Sequence, residues 1–182
     1  MCQVLRLAVL PAVVALVACA PQTSPQTPPV SPAAEVNAAD VAFVHEMLAY
    51  HRHAITTVTL AGTRATDPQV KALAAQTAAI QRLQQATMTT LLIGWAQPTT
   101  PPMDRRDEDE HVKALSATVG TAFDHTLLTA MIVHNQAAIQ AARDALARDL
   151  SGQVRGIATS AATGLSAEVD RLQAILDRLP AA

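Results

Sequence analysis

The nine residues Met47–Ile55, MLAYHRHAI, are nearly repeated at Met131–Ile139, MIVHNQAAI. Both segments begin with methionine, contain a histidine three or four residues later, and end in Ala-Ile. One shift of 84 residues aligns them without a gap, and the same shift aligns residues on either side of them. Further identical pairs at this spacing are Asp40 and Asp124, Val70 and Val154, and Ala74 and Ala158. This shared spacing indicates a duplicated αα-hairpin.

The signals that start helices follow the same spacing. Asn37 and Thr121 each precede an aspartate by three residues, and Asp67 and Ser151 are also 84 residues apart. All four are residue types that cap helix N-termini, and Pro68 stands at the first helical position, where proline is favoured. These signals predict four long helices, at residues 38–64, 68–95, 121–149 and 152–179, and residues 107–117 predict a short additional helix.

The predicted helices are rich in small and aliphatic residues. The 182-residue chain has two Phe, one Tyr and one Trp, so its helices must pack closely through Ala, Leu, Val and Ile. Helical spacing places a buried face on the first and third helices. These faces contain Phe43, Met47, Tyr50, His51 and Ala54 on the first helix, and Leu127, Met131, His134, Asn135 and Ala138 on the third. The expected fold is all-α, a four-helix bundle made of two repeated αα-hairpins with a pseudo-two-fold axis.

The N-terminal residues predict an exported lipoprotein. Residues 1–18 contain one positive charge and then an apolar run that is long enough for a signal peptide but too short to span a bilayer. The segment Leu16–Cys19 resembles a bacterial lipobox, which implies cleavage before Cys19 and attachment of lipid to its sulfur. Residues 19–36 are rich in Pro and Thr and predict an extended tether, which leaves residues 37–182 for the bundle domain. We therefore expect a protein anchored by lipid to the extracytoplasmic face of the cell membrane.

The composition disfavours several classes of function. The mature chain would have no thiol, because Cys2 leaves with the signal peptide and Cys19 is lipidated, so disulfides and thiolate metal sites are excluded. The net charge of −2 gives no electrostatic basis for binding nucleic acid. Neither Glu46 nor Glu168 starts the Glu-x-x-His motif of di-iron bundles, and no catalytic triad or phosphate-binding loop is recognisable. We therefore expect a protein that is not an enzyme.

Each half of the chain resembles one family pattern over about residues 37–179. The pattern is D-x-x-F-x-x-x-M-I-x-H-H-x-x-A-I, followed by V-x-x-L-A-x-x-I-x-x-x-Q-x-x-E-I-x-x-M, and it is typical of the domain of unknown function 305 family. The connecting region is similar as well, with Met103 before the acidic residues DEDE and then Gly120 to Asp124 as G-x-x-F-D. The resemblance implies a ferritin-like bundle in a secreted or membrane-anchored bacterial protein, and it implies a role with metal, especially copper.

The chain departs from the family's His-His pair in both halves. The first half has Tyr50-His51 and the second has His134-Asn135, so each half keeps one histidine. The methionine expected after Ala-Ile is Thr57 in the first half and Ala141 in the second. The later Gln, Glu and Met positions are Gln81, Gln84 and Met88 in the first half, and Leu165, Glu168 and Leu172 in the second.

The remaining His and Met residues predict a soft metal site. Met47 and His51 are four residues apart, and Met131 and His134 are three apart, so each pair can point from one helix face. If the first and third helices meet near the pseudo-two-fold axis, two imidazoles and two thioethers converge, and Met88 is a further candidate donor. Imidazole with thioether suits Cu(I) better than Zn(II) or hard cations, and a site without thiols suits an oxidising compartment.

A structure without metal is the alternative. Methionine at helical spacing usually fills the core, and Tyr50, His51, His134 and Asn135 can instead form a closed hydrogen-bond network across the bundle. The protein would then be a non-catalytic structural or interaction lipoprotein. The histidines expected outside the primary ligand set are His45, His53, His111 and His125, and His45, His53 and His125 are expected at the surface.

Overall fold

The computed structural model describes residues 36–100 and 112–180, and every regular element in these two ranges is an α-helix. The helices are α1 (Ala38–Thr59), α2 (Ala61–Arg64), α3 (Pro68–Gly94), α4 (helical residues 112–116), α5 (Gly120–Leu146) and α6 (Gly152–Leu176). Helix α1 packs on α3 and α5, and α5 packs on α6, which confirms the predicted all-α bundle of two hairpins. The predicted signal peptide at 1–18, the tether up to residue 35 and residues 107–111 lie outside the described residues and stay predictions.

Three of the four predicted helix caps are confirmed. The side chains of Asn37, Asp67 and Ser151 each accept a hydrogen bond from a backbone N–H two or three residues farther along the chain. Pro68 occupies the first position of α3, as predicted. These bonds satisfy N–H groups that have no partner within the helix, and each stabilises its helix by about 1 kcal/mol.

The predicted cap at Thr121 is wrong. Helix α5 begins one residue earlier, at Gly120, and follows Val119, which makes no side-chain cap. Gly120 has a φ of 67°, in the left-handed region that glycine adopts without steric strain. This backbone turn starts the helix before Thr121, which therefore lies inside the first turn.

A pseudo-two-fold axis passes between α1 and α5. Tyr50 and His134 occupy the same position in the two repeats, and the His134 Nε2 lies 3.1 Å from the Tyr50 carbonyl oxygen. The rings of these two residues also meet edge to face, with centroids 5.3 Å apart. Equivalent residues of a two-fold pair can touch only beside the axis, so this contact fixes where the axis lies.

Two buried aspartates join the hairpins to each other, and we call these contacts the aspartate latches. Asp40 of α1 accepts a hydrogen bond from the backbone N–H of Ser151, at 3.0 Å, where α6 begins. At the equivalent position, Asp124 of α5 accepts from the backbone N–H of Asp67 at 2.9 Å, where α3 begins. Each latch crosses from one hairpin to the other, so the bundle is closed at both ends by the same contact.

The core consists mainly of two hydrophobic clusters with polar residues between them. One cluster contains Phe43, Met47 and Met88, and the other contains Phe123 and Met131. Along each long helix, one buried polar residue falls between the segments that supply the two clusters. These residues are His51 of α1, Gln81 of α3, Asn135 of α5 and Glu168 of α6, and we call them the central polar layer.

None of the helices in residues 36–100 and 112–180 combines the length and the apolar character that a bilayer-crossing helix requires.

Candidate metal centre

His51 is held as a neutral imidazole with a defined tautomer. Its Nδ1 lies 2.8 Å from the Met47 carbonyl oxygen, and because a carbonyl only accepts, Nδ1 carries the proton. Burial lowers the pKa of His51, although bonds to Gln84 and Met47 and the charge of Glu168 act in the opposite direction. The neutral ring therefore keeps a lone pair on Nε2.

The Nε2 of His51 meets the side chain of Gln84. The Gln84 Oε1 lies 2.7 Å from this ring nitrogen. An oxygen cannot donate to a lone pair, so neutral His51 requires the Gln84 amide to turn over, with its NH2 group toward the ring. Gln84 itself is exposed, so its side chain can turn into solvent and free the Nε2 lone pair.

His134 is also held in one tautomer, but with the roles of its two ring nitrogens exchanged relative to His51. Its Nε2 donates to the Tyr50 carbonyl oxygen, so its lone pair is on Nδ1. Burial, followed by the charge of nearby His53, lowers the pKa of His134 to about 4. At neutral pH both imidazoles are thus uncharged, and each has one nitrogen fixed by a backbone carbonyl. This is the arrangement in which histidine commonly binds metal, because the carbonyl sets the tautomer and orients the ring.

The methionines do not converge as the sequence led us to expect. Met47 and Met88 lie together in one hydrophobic cluster, beside the turn of α1 that carries His51. Met131 lies in the other cluster. Met47 and Met131 are equivalent positions one helical turn from the axis, so the pseudo-symmetry places them on opposite sides of it. The structure therefore groups Met88 with Met47, which lies one helical turn before His51, whereas Met131 lines the groove with His134.

The closed hydrogen-bond network of the alternative hypothesis is also not formed. His51 and His134 each bond to a backbone carbonyl, and neither ring is bonded to Asn135. Within the described residues, Asn135 is fully buried and neither of its amide atoms has a hydrogen-bond partner, and the same holds for the Gln81 Oε1. Orphaned buried polar atoms cost about 1–3 kcal/mol each and commonly mark a place for water or an ion.

A buried carboxylate completes the central polar layer. Glu168 is 7% exposed and accepts a hydrogen bond from the Thr77 hydroxyl at 2.6 Å, which connects α6 to α3. Its charge also acts on His51, because it is one of the causes that raise the pKa of that ring. A carboxylate in a low-dielectric interior favours a cation nearby, so the layer suits a positively charged ligand better than a neutral one.

The donors available limit the kind of site. Nowhere in residues 36–100 and 112–180 do three His, Cys, Asp or Glu side chains come together as a group that can hold a metal ion. A metal here would therefore need thioether, amide or water ligands beside imidazole. The residues present fit such a group, since Met47 lies one turn before His51, Met88 shares the cluster of Met47, and the orphaned amides lie in the same layer.

Three histidines expected at the surface are half-buried instead, and one of them, His53, lies against the candidate site. It is half-buried, and its ring lies 5.0 Å from the His134 ring, centroid to centroid, at an angle of 32°. The available signal was its position three residues after Tyr50, on the helix face that meets the axis. His45 and His125 are also half-buried, and each lies within hydrogen-bond distance of a backbone carbonyl, at Pro98 and Pro180.

A groove runs along α1 and α5 beside this site. Its volume is about 1510 Å³, and its lining includes Glu46, Tyr50, His53, Met131 and His134. His134 is therefore reached from the groove, whereas His51 lies on the side of α1 that faces α3.

The sequence profile described as domain of unknown function (DUF305) matches residues 40–176, which is most of the chain. The chain belongs to the DUF305 family. No curated protein matches the sequence.

Solved structures of DUF305 proteins share the fold. A DUF305 fragment from Deinococcus radiodurans is 25% identical, with a TM-score of 0.72, and the match covers 79% of this chain and 98% of the fragment. A DUF305 protein from Streptomyces coelicolor, provisionally described as secreted, is 21% identical with a TM-score of 0.69, over 76% of this chain and 92% of its own. CopM in a Cu(I)-bound form is 23% identical with a TM-score of 0.65, over 76% of this chain and 95% of CopM. CopM is also known in a Cu(II)-bound form, at 22% identity and a TM-score of 0.67 with the same coverage.

Proposed function

We propose that this DUF305 protein binds Cu(I) at the extracytoplasmic face of the membrane and buffers the ion or hands it on. The observation that carries the proposal is the pair of neutral imidazoles, His51 and His134, each fixed through a backbone carbonyl with its other nitrogen unprotonated. The thioethers of Met47 and Met88 would join His51, and that of Met131 would join His134.

The chemistry of these donors favours Cu(I). Imidazole nitrogen and thioether sulfur are ligands for soft or borderline ions, and neither has to lose a proton here before it binds. Glu168 provides a negative charge in the same layer, which offsets the charge that a monovalent cation would bring into the core.

The comparisons support copper as the first metal to test. CopM shares the fold and has been obtained with Cu(I), with Cu(II) and with silver, an ion whose preference for soft ligands resembles that of Cu(I). At 23% identity this likeness speaks for the fold, so the ligand assignment rests on the residues of this chain.

The location and the anchor come from the N-terminal sequence. We propose export through the signal at residues 1–18 and lipid attachment at Cys19, with the tether holding the bundle away from the membrane. The Streptomyces relative that is provisionally described as secreted is consistent with this compartment. We propose that the protein is not an enzyme and does not bind nucleic acid.

One observation favours the alternative without metal. The lone pair of His51 already has a partner in Gln84, so the layer can hold this imidazole by hydrogen bonding alone. The protein would then be a structural or interaction lipoprotein, and replacing His51 would change its stability but not its metal content.

The two functions are separated by metal retention. Residues 20–182 would be exposed to Cu(I) under reducing, anaerobic conditions, desalted, and examined for bound copper by elemental analysis. We expect at least one copper per chain, lost in a His51→Ala/His134→Ala variant. The matched control is His45→Ala/His125→Ala, which removes one half-buried histidine from each of the same helices outside the layer. Equal copper in both variants, or none in the wild-type chain, would contradict the proposal.

A further inference from the structure

Two histidines from different helices meet at the groove, and the family pattern assigns no role to one of them. The rings of His53 on α1 and His134 on α5 lie 5.0 Å apart, with planes tilted by 32°. His53 stands at a variable position of the family motif, between the His-His pair and Ala-Ile. Its place beside His134 follows from the axis, because α1 and α5 approach each other at Tyr50 and His134.

The separation of the rings suits two imidazoles on one metal ion. Metal–nitrogen distances of about 2 Å, with the two nitrogens at a tetrahedral angle, place imidazole centroids about 5 Å apart. Both rings line the groove, from which water can supply the remaining ligands of an open site. The Nε2 of His53 lies 3.5 Å from the Thr57 hydroxyl oxygen, and the Nε2 of His134 bonds to the Tyr50 carbonyl oxygen, so His134 would bind a metal through Nδ1.

The charge at the groove favours a cation. Glu46 lines the same groove one helical turn before Tyr50. His134 uses Nε2 to bond the Tyr50 carbonyl oxygen, which leaves its Nδ1 as the nitrogen that can bind a ligand. A nearby carboxylate and an uncharged imidazole both assist the entry of a positive ion.

We propose that His53 and His134 form a two-imidazole site for a borderline divalent cation, Cu(II) or Zn(II), at the groove between α1 and α5. Imidazole binds both ions well, and the proposed site uses two imidazole nitrogens, without the Met131 thioether that lines the same groove. It differs from the proposed Cu(I) site in its second histidine, which is His53 and not His51, and it is reached from the groove. Because the two ligands come from different hairpins, a bound ion also ties the hairpins together.

The test is a titration of residues 20–182 with Cu(II), followed by electron paramagnetic resonance, and with Zn(II), followed by calorimetry. We expect one Cu(II) with two imidazole nitrogens in the wild-type chain and in the control His45→Ala. In His53→Ala we expect a spectrum with one imidazole nitrogen and an affinity at least about tenfold weaker for both ions, which is the loss that even outer-shell changes produce at metal sites. His53→Gln, checked by circular dichroism, would replace His53→Ala if the latter does not fold.

The outcomes distinguish this site from the proposed Cu(I) function. Unchanged Cu(II) and Zn(II) affinity in His53→Ala would overturn the inference, and the ring contact would then be stacking alone, whether or not the wild-type chain retains Cu(I). A chain that retains no Cu(I) but binds Cu(II) through His53 would overturn the proposed function and leave this site standing. His51→Ala should weaken Cu(I) retention while leaving the two-nitrogen Cu(II) spectrum intact.

Discussion

The two hairpins have the same latch positions but different polar chemistry at the centre. In the first hairpin His51 and Gln84 are hydrogen-bonded at 2.7 Å. The equivalent residues of the second hairpin are Asn135 and Glu168, and there Asn135 has no partner among the described residues while Glu168 accepts from Thr77 of the first hairpin. Duplication has therefore kept the contacts that align the hairpins, whereas the residues suited to bind a ligand have diverged. The first half offers a histidine with two thioethers, and the second offers a histidine that opens to a groove.

Among equivalent positions of the two hairpins, we expect the largest difference in contribution to stability between Asp124 and Asp40, the two aspartate latches. Asp124 accepts from the Thr66 N–H, the Thr66 hydroxyl and the Asp67 N–H, whereas Asp40 receives one bond from the other hairpin, from Ser151. Asp124→Ala should lower the free energy of unfolding by about 3 kcal/mol and Asp40→Ala by about 1–2 kcal/mol, because bonds to a carboxylate are strong and their loss leaves donors unpaired.

Urea denaturation of both variants measures the difference between the latches. Asp124→Asn and Asp40→Asn are the matched controls, since each keeps the shape of the side chain and removes its charge. Equal losses in the two alanine variants would show that the additional bonds of Asp124 contribute nothing, and the comparison of the latches would be wrong.

The stability of the protein should depend on pH mainly through His134, in the second half of the chain. The pKa of His134 is about 4 in the folded protein and near 6.5 when unfolded, so below pH 6.5 the unfolded chain takes up a proton that the folded chain does not. Stability should therefore be fully present above pH 6.5 and fall as the pH drops toward 4, by about 2–3 kcal/mol from this group. The lowered pKa of His51 acts in the same direction.

The measurement is urea unfolding of the metal-free protein at pH 7.5 and pH 4.5. Carboxylates also titrate in this range, so the quantity of interest is the difference between the wild-type chain and His134→Gln, which cannot take up the proton. A wild-type chain that loses no more stability than His134→Gln would show that His134 is not held neutral.

Replacing Asn135 and the equivalent His51 by leucine should change the stability of the protein in opposite directions. Asn135→Leu removes two orphaned buried atoms in a side chain of similar size, so the metal-free protein should gain about 1–2 kcal/mol. His51→Leu removes a ring that is hydrogen-bonded at both nitrogens and should cost about 1–2 kcal/mol. Thermal unfolding of both variants decides this, and destabilisation by Asn135→Leu would mean that its amide has a partner in solution.

The smallest expected effect concerns access to His51. Gln84→Ala removes the side chain that competes for the Nε2 lone pair, so Cu(I) affinity should rise about fivefold, which corresponds to one ordinary hydrogen bond of about 1 kcal/mol. Competition with a Cu(I) chelator measures the change, and Gln85→Ala next to it serves as the control. A loss of affinity would indicate that Gln84 assists binding.

The sequence was sufficient for the fold because the repeat, the caps at Asn37, Asp67 and Ser151, and the apolar periodicity all agree with one another. It placed His51 and Asn135 on the buried helix faces, but it gave no buried role to Glu168 and did not show how these residues group. A repeat shows which residues are equivalent, but only the location of the axis decides which of them meet. That axis passes by Tyr50 and His134, so His134 pairs with His53, and Met47 and Met131 are placed apart. The left-handed turn at Gly120 was missed because threonine is an ordinary cap residue.

The central claim is that His51 and His134 are neutral imidazoles with one nitrogen of each available to a metal. Long-range proton–nitrogen correlation spectra of the nitrogen-15-labelled chain at pH 7, with and without Cu(I), test this claim most directly. The account predicts a proton on Nδ1 of His51 and on Nε2 of His134 without metal, and a shift of the other nitrogen of each ring when Cu(I) is added. Charged rings at pH 7, or nitrogen resonances that Cu(I) leaves unchanged, would contradict it.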